Sequence, residues 1–487
     1  MMLVQSIPVS RDVILGVLLR LLAPTVFLSS VVLALLLVST LCKIPKQGRL
    51  RAWAYLFNGP EIIREAYLKS HGEPFEIHAP DARMVFVSSP KHIKEIDGTS
   101  DKVLSLNGAA KHMLQPLYTM NGFNWFDQRG VEGVGFVRTL RTLLTYNLPQ
   151  LLPDLRVLTK ARWSQMLTNS PIYAGKIHAP VYPMMMKMVV LLNARSLFGE
   201  DLIKDEKFMH SALSYVEETL FNAEIVKLLP KGLAPLVGRL LSRCLGAHKT
   251  FFKSLIPATE QRIQEQNLRN LGHPGPKRVS VHEIILNPWS AERVIYELMA
   301  IWFGSVHILS TTIVYVIHDL CFHPEYVELL RQELEISYEN FERTGQGLPL
   351  LDSFIKESAR LTPVESSKSK APSVSRILTN VPFQMSVRRC ALQPCTLYNG
   401  TQLGVGDWTW VPLAALNTSD QYYPSPHEFS GFRFVDPAQL PDGQQKPSQE
   451  RPSKLTDVDH SFLMWGTGRM ACPGRYYASV FIKAVVA

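Results

Sequence analysis

The sequence predicts a mainly α protein with small β-sheets, held at its N-terminus in a membrane. Three observations lead there. Apolar residues recur at helical spacing from about Val131 to Asn340, short strand-like runs sit toward the two ends, and residues 21–42, "LLAPTVFLSSVVLALLLVSTLC", carry no charge. The totals set the bounds. A chain of 487 residues, 46% hydrophobic and 19% charged, can bury a large core and is not disordered. Its net charge of +9 suits an anionic membrane surface or an acidic partner. No long run of Lys and Arg is present, which speaks against a nucleic-acid-binding arm. The six cysteines are scattered with no CxxC pair, so neither a zinc site nor a disulfide framework is indicated, and a reducing compartment fits.

The elements follow in order. About 20 apolar residues span a bilayer as a helix. The apolar region of a cleaved signal peptide is shorter, roughly 7–15 residues. Lys43, Lys46, Arg49 and Arg51 follow at once, which places the downstream chain in the cytosol. Residues 1–45 are therefore read as an anchor and 46–487 as the folded domain. "PEIIREAYLKSH", from Pro60, has helical spacing; "FEIHAP" and "MVFVSS" read as short strands around a polar turn. The helical pattern that follows is broken by "GHPGPK" near Gly272. After Arg388 the chain is loop-rich, with short strands and many prolines.

The stretch "MWGTGRMACPGRYY", from Met464, sets Cys472 in a glycine-rich turn. Gly466, Gly468 and Gly474 allow positive φ and close approach to a flat surface. Pro473 suits a first helical turn of "PGRYYASVFIKAVVA". A helix N-terminus favours thiolate over thiol, and an anionic sulfur on iron favours O–O cleavage. The turn by itself suits an inert buried cysteine equally well. Three more features accompany it. "KESAR" puts Glu357 and Arg360 at i, i+3 on one helix face, a pattern that alone is usually a solvated surface pair. "FSGFRF" flanks Arg433 with aromatics. "FGSVHILSTT", from Phe303, lies in an apolar helix that ends at "HPE", His323 to Glu325.

In this order the four features resemble the cytochrome P450 family, and the resemblance runs from about Pro60 to the last residue. It is nearest to fungal membrane-bound members of secondary metabolism. The resemblance implies the P450 fold and haem b, with Cys472 as axial iron ligand and Trp465, Gly466 and Gly474 in its loop. Glu357, Arg360 and Arg433 would form a buried charge cluster bracing that loop. It implies NADPH-cytochrome P450 reductase as electron donor at the basic face near the cysteine. The setting would be the endoplasmic-reticulum membrane, with a single-pass anchor and a cytosolic catalytic domain. The reaction would be insertion of one oxygen atom from O2 into an apolar small molecule, an intermediate of fungal secondary metabolism.

The chain departs from the family at several places. Trp465 stands where the loop usually begins with Phe. Met470 replaces a basic residue that holds a haem propionate; Arg469 is adjacent. Arg141, in "RTLRTLLT", and Arg388 or Arg389 match other propionate positions, where a basic side chain is otherwise simply solvated. The oxygen-helix pattern small–small–x–acid–Thr reads Gly304, Ser305, Val306, His307, Ile308. Gly304 and Ser305 keep the helix open. His307 is either a proton relay or a satisfied core histidine. Ile308 lacks the relay hydroxyl, and Ser310 and Thr311 lie too far round the helix unless it bulges. Ile308 favours an alternative reading, an isomerase or dehydratase of P450 type. Residues 367–384 form a polar insertion, and the family's last strands lie beyond Ala487. Both favour a further alternative, an inactive product of a faulty gene model.

Overall fold

The computed structural model describes residues 46–128, 137, 139–229, 232–273, 290–363, 385–440 and 452–487. The apolar run 21–42 and the insertion 367–384 lie outside the described residues.

Helix α1 (Lys46–Ser70) breaks at Asn58, φ −136°, two residues ahead of Pro60. The proline cannot donate to a helix, so the chain turns there. The alternating run that follows makes β1 (Phe75–His78) and β2 (Arg83–Phe86), paired antiparallel with Phe75 opposite Phe86. Ser89 caps α2 (Pro90–Gly98) by accepting from the His92 N–H. Strand β3 (Leu104–Ser105) leads into α3 (Leu106–Leu114). A π-type turn at Thr139–Leu144 runs into α4 (Thr145–Thr168). Then come α5 (Val181–Phe198), α6 (Glu206–Leu228), α7 (Ala234–Cys244) and α8 (Ala247–Asn270). The 32-residue α9 (Ala291–Phe322), capped by Ser290, crosses the core, followed by α10 (Val327–Thr344) and α11 (Pro349–Leu361). Strands β4 (Met385–Ala391) and β5 (Trp408–Pro412) precede the final α12 (Arg475–Val486).

The strand-like runs toward the two ends close on each other. One five-stranded sheet has the order β1-β2-β5-β4-β3. Its parallel pair joins Met84, Val85 and Phe86 to Trp408, Thr409 and Trp410, more than 300 residues apart in sequence. A bulge between Ser386 and Arg389 puts Val387 at φ +50°, a rare conformation for a β-branched residue. It re-aims the adjacent arginines.

Among the described residues, α9 alone is long and apolar enough to cross a membrane, and half of that stretch is buried inside the protein. It packs against α5, α8, α11 and α12. Its buried Val294, Leu298, Trp302, Val306, Leu309 and Ile313 belong to the main core. The apolarity of α9 is therefore that of a central core helix.

Candidate active site

The cysteine loop is shaped by its backbone. Gly466 at φ +73° and Gly468 at φ +56° take left-handed conformations. The Cys472 N–H donates to Trp465 O at 2.7 Å, closing the turn, and Trp465 Nε1 donates to Leu455 O at 2.6 Å. Trp465 thus serves as a wall and also as a hydrogen-bonded peg. Two sequence expectations need correction. Gly474 has φ −89° and caps α12, so it contributes an N–H and small size, not positive φ. The helix starts at Arg475, which leaves Pro473 ahead of the cap.

The thiol itself is governed by competing effects. Burial pushes the Cys472 thiol up. The N–H groups of Gly474 and Arg475 and the charges of Arg475 and Arg141 pull it down, and burial dominates. The N–H groups at the helix start thus favour the thiolate while burial opposes it. A bound cation would complete the balance, because a coordinating thiol is deprotonated outright.

Glu357 and Arg360 are fully buried and Arg433 is 1% exposed, so this is no solvated surface pair. Arg360 grips the Glu357 carboxylate bidentately, Nε and Nη2 each at 2.7 Å. Arg433 Nε lies 3.0 and 3.1 Å from the same two oxygens, and Ser430 N donates at 3.0 Å. The outer guanidinium nitrogens donate to the carbonyls of Asn417, Pro424 and Pro426. Every charge is paired and the loop carbonyls are satisfied, the condition under which a buried ion cluster is tolerated. Tyr423, beneath Arg360, donates to Ser461 O at 2.6 Å and carries the brace toward the cysteine loop.

A second brace had no signal in the sequence. Lys356 Nζ donates to Ser453 Oγ at 2.8 Å and Lys454 O at 3.0 Å. Asp352 accepts from Leu455 N at 2.7 Å and pairs with Lys483 of α12 at 2.9 Å. The other side of the same segment accepts from the cysteine region: Leu455 O from Trp465, and Thr456 O from Arg475. Residues 453–456 thus strap α11 to the cysteine loop.

On α9, Gly304, His307 and Ile308 share one face by i, i+3, i+4 spacing. A Cβ at Gly304 would meet no atom within 4 Å. Burial pushes the His307 imidazole down, toward the neutral form. Ser305 differs from expectation: its hydroxyl bonds Asn193 of α5 at 2.7 Å, so it ties the helix to a neighbour. The helix is continuous with no bulge. Ser310, Thr311 and Thr312 donate back to the carbonyls of Val306, His307 and Ile308. None of them takes the place of a hydroxyl at Ile308.

The arginines separate into two groups. Arg141, on the π-type turn, donates to Ala471 O at 3.0 Å, beside the cysteine. Arg388 lies over the Trp410 ring with Nη1 at 3.2 Å from Met113 Sδ. Arg389 is buried against Asp97 at 3.2 Å. Arg469 is 55% exposed and reaches Asp101 at 3.7 Å and Thr99 O at 2.8 Å. A haem-thiolate group needs a sulfur donor held by N–H groups, an open helix face and cations at its edge. The half-buried Cys472 with its two N–H donors, the space at Gly304 and the guanidinium of Arg141 fit those needs.

Comparison with known proteins bears on this arrangement. The cytochrome P450 family model matches residues 60–373. Cytochrome P450 monooxygenase janQ of Penicillium janthinellum is 25% identical over 463 residues, 91% of this chain and 85% of the relative. Cytochrome P450 monooxygenase olcJ of Penicillium canescens is 26% identical over 73% of this chain and 64% of its own length. The fold of the cytochrome P450DA heme domain is shared at TM-score 0.59, with 13% identity, over 89% of this chain and 87% of that one. With more than half of its sequence matched by the family model and most of its length matched in fold, the chain belongs to the cytochrome P450 family of monooxygenases.

Proposed function

We propose that the protein is a haem-thiolate monooxygenase that inserts one oxygen atom from O2 into an apolar small molecule, an intermediate of fungal secondary metabolism. The observation that carries this reading is the half-buried Cys472 thiol just ahead of α12, with the N–H groups of Gly474 and Arg475 lowering the cost of its anion. Haem, when bound, supplies the activation of dioxygen. The chain's own residues do the rest. Cys472 would hold the haem iron through its sulfur, and Arg475 Nη1 donates to the Cys472 carbonyl at 3.0 Å. Trp465 and Gly466 shape the loop. Arg141, which donates to Ala471 O beside the cysteine, and Arg388 are assigned to the haem carboxylates. Gly304 leaves room on α9. Neutral His307 accepts and returns a proton at a ring nitrogen, and Ile308 beside it supplies no hydroxyl.

Electrons would come from NADPH through NADPH-cytochrome P450 reductase, docking on a chain whose net charge is +9. The uncharged run 21–42 supports a single-pass anchor in the endoplasmic-reticulum membrane with the domain in the cytosol. A second reading, an isomerase or dehydratase, is favoured by Ile308 together with the three back-bonded hydroxyls that follow it. Labelled dioxygen separates the two, because only the monooxygenase transfers label to product. The ligand assignment is tested by Cys472→Ala, which should abolish the thiolate-type absorption of the reduced CO complex. Retention of that band would overturn it.

A further inference from the structure

A polar chain, buried at Tyr477 and Asn193 and half-buried at Ser305, joins the cysteine helix to the oxygen helix through a third element. Tyr477 OH, on α12 and five residues past Cys472, donates to Asn193 Oδ1 of α5 at 2.9 Å. Asn193 Nδ2 donates to Ser305 Oγ of α9 at 2.7 Å, and Ser305 Oγ donates to Trp302 O at 3.1 Å. Asn193 is fully buried and Tyr477 is 5% exposed. All donors run one way, so the chain closes in a single register. Apolar packing of Leu298, Trp302 and Val306 sets the spacing and gross rotation of α9, and directional hydrogen bonds in the interior fix the smaller angles that packing tolerates. Rotation matters here. A slip of one residue turns a helix by roughly 100° and would present Val306 or Ile308 where His307 now stands.

We propose that Tyr477, Asn193 and Ser305 are positioning residues, a clamp that locks the rotation of α9 against the cysteine helix and so aims Gly304 and His307. The inference rests on the proton-relay reading of His307. The clamp spans the two helices that carry the thiol and the relay, so it transmits any movement of one to the other. Ser305 stands where the family pattern has a small residue, and its hydroxyl is what the clamp requires.

The test uses the full chain with haem and added reductase. Ser305→Ala, Ser305→Thr, Tyr477→Phe and His307→Ala are compared with the parent. Hydrogen peroxide released per NADPH oxidised is measured, together with two readouts independent of turnover: the spin-state bands of the resting protein and hydrogen exchange of the α9 amides. Ser305→Ala and Tyr477→Phe should raise peroxide per NADPH by roughly three- to tenfold, the effect of one lost hydrogen bond. They should shift the spin-state bands and loosen α9 while haem content stays unchanged. Ser305→Thr, which keeps the hydroxyl, should match the parent. Parent-like coupling and spectra in Ser305→Ala, with His307→Ala impaired, overturn the clamp. If His307→Ala couples like the parent, the relay reading fails. The clamp then stands or falls on the spectral and exchange difference between Ser305→Ala and Ser305→Thr.

Discussion

Glu357→Gln isolates the charge of the buried cluster, because it preserves size and removes one negative charge. In the parent the carboxylate accepts from Arg360 Nε and Nη2 at 2.7 Å, from Arg433 Nε at 3.0 and 3.1 Å, and from Ser430 N at 3.0 Å. The variant leaves two buried guanidinium ions around a neutral amide, one end of which is itself a donor. Breaking a buried ion pair from one side costs about 3–5 kcal/mol. Unfolding entropy of about 2.1 cal/mol/K per residue, taken over 487 residues, gives roughly 1 kcal/mol/K. A loss of about 4 kcal/mol therefore lowers Tm by about 4 °C. Haem occupancy should fall as well, since the carbonyls gripped by the arginines belong to the segment that Tyr423 ties to Ser461 O. The assay is thermal melting by circular dichroism, with and without molar salt, beside the ratio of haem to protein absorbance. Exposed pairs contribute only about 0–1 kcal/mol and are screened by salt. A shift below about 1 °C, or one that disappears in high salt, would refute the buried-cluster argument.

Other outcomes follow from the same structure. Ile308→Thr places a hydroxyl one turn beyond Gly304 and should lower peroxide released per NADPH; an unchanged ratio would show that His307 already suffices. His248 is 3% exposed, and burial, aided by Lys249, pushes its imidazole down to about 4 from 6.5. Between those values the unfolded chain takes a proton that the folded one refuses. Stability present above pH 6.5 is thus lost as pH falls toward 4, by about 3 kcal/mol. His248→Gln, which can keep the contact with Ser242, should flatten that acid slope in denaturant titrations, and an undiminished slope would count against it. Gly468→Ala would strain a φ of +56° and bring its Cβ to 3.1 Å from Asp97 Cγ. Haem occupancy should drop and recover in part when Asp97→Ala is added; no recovery would place the whole effect in the backbone.

Much of the site was legible because its signals are local. Two glycines at positive φ around Cys472, the i, i+3 pair Glu357 and Arg360, and Gly304, His307 and Ile308 along one helix face are all set by spacing within a few residues. The helical span was legible too, since a 3.6-residue apolar period is a property of the chain itself. The parallel pairing of β2 with β5 was not, because strands so far apart carry no mutual signal in either segment.

What only the folded structure decided is environment. Glu357 and Arg360 have the same spacing as an exposed pair such as Glu61 and Arg64, whose side chains are 42% and 59% exposed. Burial, settled by elements distant in sequence, makes one of them structural. The same holds for the Cys472 thiol, pushed up by a core that its own loop does not encode, and for Ser305, whose partner lies on another helix. Local spacing determines which groups can share a face. Desolvation and hydrogen-bond geometry depend on everything packed against that face, and so they are decided only when the distant helices meet.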